Sequence, residues 1–238
     1  MEAAHFSADP AHVRWFGERI INVVGGIPPS RVLDIGCGDG SLILYLAEAL
    51  PYASFVGVDL SDANIGRAEA AVTESPHRHR IAFVKHDYLS LDAGRFDLIV
   101  ASSSLQGMKA TSDSLAAKIA RDAAAEGRLI HVTPYRCLYN TMLNVVRKGL
   151  RQVRGTATDR MILAVARALH PGQPHARLHE RIEYMYLLLR HYEDGLRAAL
   201  ARHGFHLVGT EPAPHTSLGQ PKHRLAVMSA PPAIDTAR

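Results

Sequence analysis

Three glycines stand at alternate positions behind an acid in the stretch from Asp34 to Gly40, which reads Asp-Ile-Gly-Cys-Gly-Asp-Gly. The short apolar run before it is typical of a buried parallel strand, and a helix-like segment, 41–50, follows at once. Glycine has no Cβ, so the backbone can turn sharply here and approach a ligand closely. A strand, a turn and a helix in this order can hold a nucleotide-like ligand against the free N–H groups of the helix.

The spacing of the glycines indicates which ligand. A dinucleotide-binding turn has the pattern G-x-G-x-x-G, with the pyrophosphate on the helix N-terminus. Here the glycines alternate, and Asp34 and Asp39 accompany them. Carboxylates repel a pyrophosphate, but they can pair with a cation or accept a hydrogen bond from an amine.

Two further acids follow predicted strands. Asp59 ends the apolar segment 54–59, at roughly the 20-residue distance from the glycines that is expected for an acid that binds ribose hydroxyls. A third strand is predicted over 80–84, and Asp87 and Tyr88 come shortly after it. Because ligands of open α/β sheets bind outside the carboxyl ends of the strands, these acids are candidates for one site.

This series of motifs resembles the class I, Rossmann-like S-adenosylmethionine-dependent methyltransferases of the small-molecule type. The resemblance covers about 31–132 and 184–229. The cofactor carries a sulfonium and an amino group but no phosphate, which suits the acids. The resemblance implies S-adenosylmethionine as cofactor and S-adenosylhomocysteine as product, with Asp87 at the adenine amino group and Tyr88 beside the ring. The implied cofactor-binding residues are Asp34, Gly36, Cys37, Gly38, Asp59, Leu60, Asp87, Tyr88 and Ser102.

Strands and helices alternate from residue 31 to about 134, which predicts a parallel sheet with helices on both faces. Further strands are predicted over 96–100, 127–132, 206–209 and 224–228. A late helix over 196–205 is predicted to end at Gly204. The resemblance implies a seven-stranded mixed sheet, with the last strand antiparallel, plus a helical cap.

We predict one methyltransferase domain over 1–238. Its expected parts are an N-terminal helical cap (1–28), a cofactor-binding core (29–134), a helical lid insertion (135–183), and the late helix with the final two strands (184–230). A helix is predicted at 9–25, and two roles are open for it: it folds over the cofactor, or it only packs in the core.

In the lid insertion, apolar residues at helical spacing predict one amphipathic helix, and 161–169 predicts a second. Pro171 to Pro174 breaks the chain. This insertion is interpreted as a substrate lid, with packing on the body or at a dimer interface as the alternative. The apolar residues of the first helix are Leu138, Met142, Val145, Val146, Leu150 and Val153.

Methyl transfer from a sulfonium is an in-line displacement, so the enzyme mainly aligns the acceptor and excludes water. A general base helps a hydroxyl acceptor more than a carboxylate. Gln106 after the fourth strand, Tyr135 after the fifth and His215 between the last two strands are the catalytic candidates. His179, Tyr184 and His191 are further candidates, whereas His131, inside a strand, is predicted to be a core residue. No spacing of ligands indicates a metal.

The composition is typical of a globular protein, with 47% hydrophobic and 21% charged residues. No apolar run approaches the roughly 18 residues of a membrane span, and no secretory signal is visible. Cys37 and Cys137 are interpreted as free thiols, which favours a cytoplasmic protein. The net charge of +4 is concentrated between about 136 and 202. It favours an acidic small-molecule acceptor or an acidic carrier protein.

We expect methyl transfer to a small molecule, at oxygen first and at nitrogen or carbon as alternatives. We expect neither a nucleic acid nor a membrane as partner, and a homodimer is a further option. The glycine spacing disfavours an NAD-dependent oxidoreductase. Ser102-Ser103-Ser104-Leu105-Gln106 stands where nucleic-acid amino-methyltransferases carry Asn/Asp-Pro-Pro-Tyr. A non-catalytic cofactor-binding module remains open, because no catalytic base is certain.

Overall fold

The computed structural model describes residues 9–169, 178, 182–215 and 219–232. Within these residues, seven strands form one mixed sheet. They are β1 (Arg31–Ile35), β2 (Ser54–Asp59), β3 (Ile81–Lys85), β4 (Phe96–Ser102), β5 (Ala123–Pro134), β6 (His206–Pro212) and β7 (His223–Ser229).

The strand order across the sheet is β3-β2-β1-β4-β5-β7-β6. β7 is antiparallel to both of its neighbours, and the other pairs are parallel. After β1 the chain builds the sheet outward through β2 and β3, then returns to place β4 on the other side of β1. The carboxyl ends of β1 and β4 therefore flank a topological switch point, where open α/β sheets bind ligands.

Helices cover both faces of the sheet. Their bounds are α1 (Pro10–Val24), α2 (Ser41–Ala49), α3 (Asp62–Thr73), α4 (Ser112–Asp122), α5 (Leu138–Gln152), α6 (Thr156–Leu169), α7 (Ile182–Met185) and α8 (Glu193–Arg202). Short 3₁₀ turns occupy Arg78–Arg80, Tyr88–Ser90 and Leu105–Gly107.

Two apolar clusters fill the space between the sheet and the helices. Successive strand residues point to opposite faces, so Val32 joins the cluster under α1 and α2, and Leu33 joins the cluster under α4 and α8. Both side chains are completely buried. The near-continuous apolar runs of β1 and β4 follow from burial on both faces.

The predicted sheet and the antiparallel final strand are confirmed. Ser61 accepts a hydrogen bond from the Asn64 N–H and begins α3, and Gly204 follows α8 with φ +84°. β5 begins at Ala123, four residues before the predicted start, because Ala123 pairs with Phe96 across a register shift. The break at 171–174 lies outside the described residues.

α1 contributes Phe16 and Ile20 to the core, and both are completely buried. It packs mainly against α2. The same helix brings the His12 ring to the end of β4, where Nε2 shares a 2.8 Å hydrogen bond with the Ser102 hydroxyl. α1 therefore packs in the core and also reaches the edge of the sheet where the site is expected.

Candidate active site

The glycine turn leaves β1 in a conformation that requires glycine. Gly36, Gly38 and Gly40 all have positive φ, at 74°, 57° and 78°. The Gly36 and Cys37 N–H groups both donate to the Val58 carbonyl of β2, at 2.7 and 3.1 Å. A Cβ on Gly36 would overlap the Cβ of Ser104. The turn therefore lies directly against the segment that follows β4, at the switch point of the sheet.

Asp59 links the carboxyl end of β2 to this turn. Its Oδ2 accepts from the Gly38 N–H at 3.0 Å. Its Oδ1 accepts from the Ser61 N–H at 2.8 Å and the Asn64 amide at 3.3 Å. A carboxylate has about four lone-pair sites, so Asp59 retains capacity for a ligand hydroxyl. The side chain is half-buried, and Leu60 beside it is 58% exposed.

Asp34 is buried under the turn. Its Oδ1 has no hydrogen-bond partner among the described residues. Burial and, secondarily, the charge of Asp59 raise the Asp34 pKa to about 7. In the part of the chain that the structure describes, no Lys or Arg forms an ion pair with Asp34 or Asp59. The site therefore offers acceptors and negative charge without a protein cation.

Asp39 binds the beginning of α2. Its Oδ1 accepts from the Ser41 N–H at 3.2 Å and the Ser41 hydroxyl at 2.6 Å. A carboxylate near the first N–H groups of a helix occupies the position that a phosphate takes in dinucleotide-binding folds. This contact agrees with the prediction from the glycine spacing that the turn does not bind a pyrophosphate.

The other predicted cofactor residues lie in different environments. Asp87 is exposed and accepts from the Leu89 N–H at 3.0 Å. The Cys37 thiol is buried, which raises its pKa and keeps it protonated. Tyr88 is only 3% exposed, and the Lys118 ammonium lies 4.3 Å from its ring centroid. The structure therefore does not bring the Tyr88 ring to the site, because the ring packs in the core under α4.

Gln106 is completely buried in the 3₁₀ turn after β4. Its Oε1 lies 2.9 Å from Nε2 of His223, at the start of β7. An amide oxygen only accepts, so this His223 nitrogen carries the hydrogen. Burial lowers the His223 pKa to about 4, and the ring is neutral at pH 7. Gln106 Nε2 has no partner among the described residues.

Tyr135 directly follows Pro134, which pairs with His223 in the sheet, whereas His215 lies in the loop between the last two strands. The Arg224 guanidinium lies 4.9 Å from the centroid of the half-buried Tyr135 ring. His215 is exposed, and its Nε2 lies 2.9 Å from the Gln220 carbonyl. The centroid of the His215 ring lies 5.6 Å from that of Tyr139.

The additional candidates fall outside this group. His191 is buried and bridges the Ser112 hydroxyl and the Met108 carbonyl, both at 3.0 Å, so its role is structural. Tyr184 lies under the Arg147 guanidinium, 4.8 Å from its ring centroid. His179 lies outside the described residues. His131 is a core residue as predicted, with Nδ1 2.7 Å from the Thr133 hydroxyl.

Sequence reasoning missed His12 and His223. His12 reaches Ser102 across 90 residues, and no local pattern marks it. His223 could have been found, because the start of an antiparallel last strand lies at the same edge as the carboxyl ends of the parallel strands. Among the described residues, no three His, Cys, Asp or Glu side chains converge as metal ligands would.

The sheet order, the acidic glycine turn at the switch point and the acid after β2 define the Rossmann-like class of methyltransferase folds. Residues 32–127 match the family described as Methyltransferase domain. This match and the fold support a Rossmann-like, S-adenosylmethionine-dependent methyltransferase.

Several characterised proteins are similar to this chain. Malonyl-[acyl-carrier protein] O-methyltransferase of Geobacter sulfurreducens is 33% identical over 127 residues, which are 52% of this chain and 47% of that protein. The tRNA1(Val) (adenine(37)-N6)-methyltransferase of Bacteroides thetaiotaomicron is 40% identical over 74 residues, 30% of this chain and 31% of that protein. The chain therefore spans less than half the length of these relatives.

Solved structures share the fold over nearly the whole chain. The N-methyltransferase NodS of Bradyrhizobium japonicum, bound to S-adenosylhomocysteine, has a TM-score of 0.62 at 15% identity, covering 94% of this chain and 90% of NodS. Magnesium protoporphyrin IX methyltransferase of Synechocystis, also bound to S-adenosylhomocysteine, has a TM-score of 0.59 at 21% identity, with coverages of 94% and 89%. At such identities the likeness shows the fold alone.

Proposed function

We propose that this chain transfers a methyl group from S-adenosylmethionine to a small-molecule acceptor, free or bound to a carrier. The observation that carries the proposal is the pair of carboxylates, Asp34 and Asp59, at a glycine turn where no described Lys or Arg pairs with them. Such a site favours a ligand with cationic and hydrogen-bond-donating groups and disfavours a pyrophosphate.

The residues present fit this cofactor. The glycine turn permits close approach of the ligand, and Asp59 has acceptor capacity for ribose hydroxyls. The unpartnered Asp34 Oδ1 supplies a negative charge for the amino or sulfonium group, and exposed Asp87 supplies an acceptor for the adenine amino group. When bound, the cofactor supplies an activated methyl group on sulfur.

On the acceptor side, we propose oxygen as the accepting atom and Gln106, Tyr135 and His215 as the residues that orient the acceptor. Gln106 is a neutral donor, and His223, with a pKa near 4, is a weak base at neutral pH. Groups of this kind suit an acceptor that is already anionic, such as a carboxylate. The malonyl-[acyl-carrier protein] O-methyltransferase relatives support oxygen and a carrier-bound acceptor.

N- or C-methylation of a small or carrier-bound metabolite is the main alternative. A nucleic-acid acceptor has support from the tRNA methyltransferase relatives, but their similarity covers only about 30% of the chain. In this chain Ser103 has φ +58°, and the Ser104 hydroxyl donates to the Ile35 carbonyl. Ser104 therefore supports the glycine turn at the place where nucleic-acid amino-methyltransferases carry their Pro-Pro element.

Calorimetric titration with S-adenosylmethionine and with NAD tests the cofactor. We expect binding of the former only, and about 1–3 kcal/mol weaker binding in Asp59→Ala, the cost of leaving buried polar partners unmatched. Asp62→Ala is the matched control, because Asp62 lies three residues away and pairs with exposed Lys85 outside the turn. Binding of NAD instead would overturn the proposal, and unchanged affinity in a folded Asp59→Ala protein would remove Asp59 from the site.

Transfer of an isotopically labelled methyl group to a panel of carboxylates, phenols, amines and RNA tests the acceptor. We expect label in carboxylates or other oxygen acceptors and release of S-adenosylhomocysteine. Label in amines or RNA would exclude oxygen specificity. Cofactor binding without transfer to any acceptor class, including carrier-bound acids, would favour a non-catalytic module.

A further inference from the structure

The helix α5 is oriented with its apolar face outward. Its predicted apolar stripe, apart from Leu150, is exposed, which contradicts the alternative interpretation that this helix packs its stripe on the body. The exposed side chains are Leu138 (76%), Met142 (60%), Val145 (63%), Val146 (54%) and, at the end of the helix, Val153 (65%). Gly149 lies on the same face by helical spacing. We call these six positions the outer face of α5.

The inward side of α5 is polar. Asn140 is completely buried, and its amide exchanges hydrogen bonds with the backbone of Lys222, at 2.8 Å in both directions. Asn144 does the same with Leu189, at 2.9 and 3.3 Å. Arg147 is completely buried and donates to the carbonyls of Leu187 and Gly219, at 3.0 and 3.1 Å. Hydrogen bonds to loop backbone therefore hold the helix in this orientation.

A surface helix ordinarily buries its apolar stripe and exposes its polar side. α5 reverses this arrangement through the specific contacts of Asn140, Asn144 and Arg147. A half turn about the helix axis would bury the stripe but would leave a guanidinium and two amides without these partners. An apolar surface of this size held at the surface marks an interaction site.

The charges around the outer face are positive. From residue 138 to residue 169 the sequence has six basic residues and one acid. Arg147 is buried on the inward side, and Arg154 pairs with Glu183. The exposed cations without an ion pair among the described residues are Lys148, Arg151, Arg160 and Arg167. Lys148 and Arg151 are exposed on α5 itself, which has no acid. α6 follows after a short turn and exposes Met161 and Val165 together with Arg160 and Arg167.

We propose that the outer face of α5 docks on the surface of an anionic lipid membrane. Apolar side chains enter the boundary between headgroups and acyl chains, while the flanking cations pair with lipid phosphates, as in interfacial amphipathic helices. No helix among the described residues is long and apolar enough to cross a bilayer, so the contact is peripheral. This proposal revises the sequence-based expectation of no membrane partner.

Two observations favour lipid over other occupants. A second copy of the chain would bring a surface with the same excess of positive charge against the first. An acidic protein would match the charge, but protein interfaces depend on aromatic and arginine anchors and on direct hydrogen bonds. The outer face contains only Leu, Met, Val and Gly, which provide apolar area without such anchors. Insertion into the hydrocarbon of a lipid layer requires only apolar surface.

Flotation of the full chain with lipid vesicles tests the proposal. We expect binding to phosphatidylcholine vesicles that contain about 30% phosphatidylglycerol, weak binding to phosphatidylcholine alone, and release as salt is raised to ~0.5 M. Val146→Asp should lower the partition coefficient at least about tenfold, because a charge replaces a valine that enters the lipid boundary on docking. Val208→Asp is the matched control, since Val208 is 56% exposed on β6. It should change the partition less than about twofold.

Several results would overturn the proposal. One is the absence of vesicle binding by the folded wild-type chain, and another is an equal loss of binding in Val146→Asp and Val208→Asp. A dimer in sedimentation velocity that Val146→Asp dissociates would assign the outer face to a second copy. Binding to purified acyl carrier protein, lost in Val146→Asp and without vesicle binding, would assign it to an acidic protein. None of these readouts requires methyl transfer, so the docking proposal and the proposed activity fail independently.

Discussion

At the scale of single residues, Asp34 shows how burial creates a functional property. The carboxyl group lies under the glycine turn, and its Oδ1 has no partner among the described residues. Burial and the nearby Asp59 raise its pKa to about 7. The group is therefore poised to ionise near neutral pH, and a cationic ligand beside it would stabilise the ionised form.

The raised pKa of Asp34 predicts a specific pH dependence of stability. Between about pH 4 and 7 the folded chain keeps a proton that the unfolded chain has released, so stability falls as the pH rises through this window. Asp34 contributes up to about 4 kcal/mol to this decline. We expect Asp34→Asn to flatten the decline in denaturant unfolding measured at several pH values. An unaltered profile in Asp34→Asn would contradict the raised pKa.

At the scale of elements, two short segments have conformations that tertiary contacts impose. The glycine turn is confined between the Val58 carbonyl and Ser104, and α5 is confined by three polar side chains on its inward side. In the turn, the absence of a side chain permits the close approach. In α5, paired buried polar groups determine which face is exposed, although the apolar stripe alone predicts the opposite orientation.

Two glycine-to-alanine changes, one in the glycine turn and one in α3, should have opposite effects on the stability of the fold. Gly36→Ala should destabilise the fold by more than about 2 kcal/mol, because φ is +74° and the new methyl overlaps Ser104. Gly66→Ala, in α3 with no atom within 4 Å of the new methyl, should stabilise it by up to about 1 kcal/mol. Urea denaturation measures both, and a neutral Gly36→Ala would contradict the described turn.

At the scale of the whole molecule, contacts between distant segments assemble the edge of the sheet that holds the site. His12 meets Ser102, Gln106 meets His223, and Arg147 binds loops at Leu187 and Gly219. Burial lowers the Arg147 pKa, and no carboxylate pairs with it among the described residues. Its hydrogen bonds to carbonyls and its stacking on Tyr184 therefore offset the cost of burying the charge.

This arrangement predicts that the Arg147 side chain stabilises the folded molecule and that the neighbouring Lys148 side chain does not. Arg147→Ala should lower the free energy of unfolding by about 3–5 kcal/mol, because it leaves a cavity and removes the donors of the Leu187 and Gly219 carbonyls. Lys148→Ala, on the exposed side of the same helix, should change it by less than about 0.5 kcal/mol. Thermal and denaturant unfolding distinguish them, and similar stabilities would show that the inward contacts of α5 contribute little.

The order of elements and the cofactor side of the candidate site could be predicted from sequence because their signals are local. Asp34, the alternating glycines and Asp59 lie at the ends of strands that apolar runs reveal, and the known edge of a parallel sheet brings them together. The glycine requirement also follows locally, since a sharp turn against a strand leaves no space for a Cβ.

The acceptor side and the orientation of α5 required the tertiary structure. His12 reaches the site across 90 residues, and no local pattern marks it. The antiparallel last strand implies that His223 lies at this edge, but its contact with Gln106 required the tertiary structure. Tyr88, predicted beside the adenine, turns into the core because Lys118 and α4 cover it. The stripe of α5 points outward because Asn140, Asn144 and Arg147 bind backbone partners in loops 40 to 82 residues away. Helical periodicity shows that a helix has two unlike faces, but only the contacts of the folded chain decide which face lies inside.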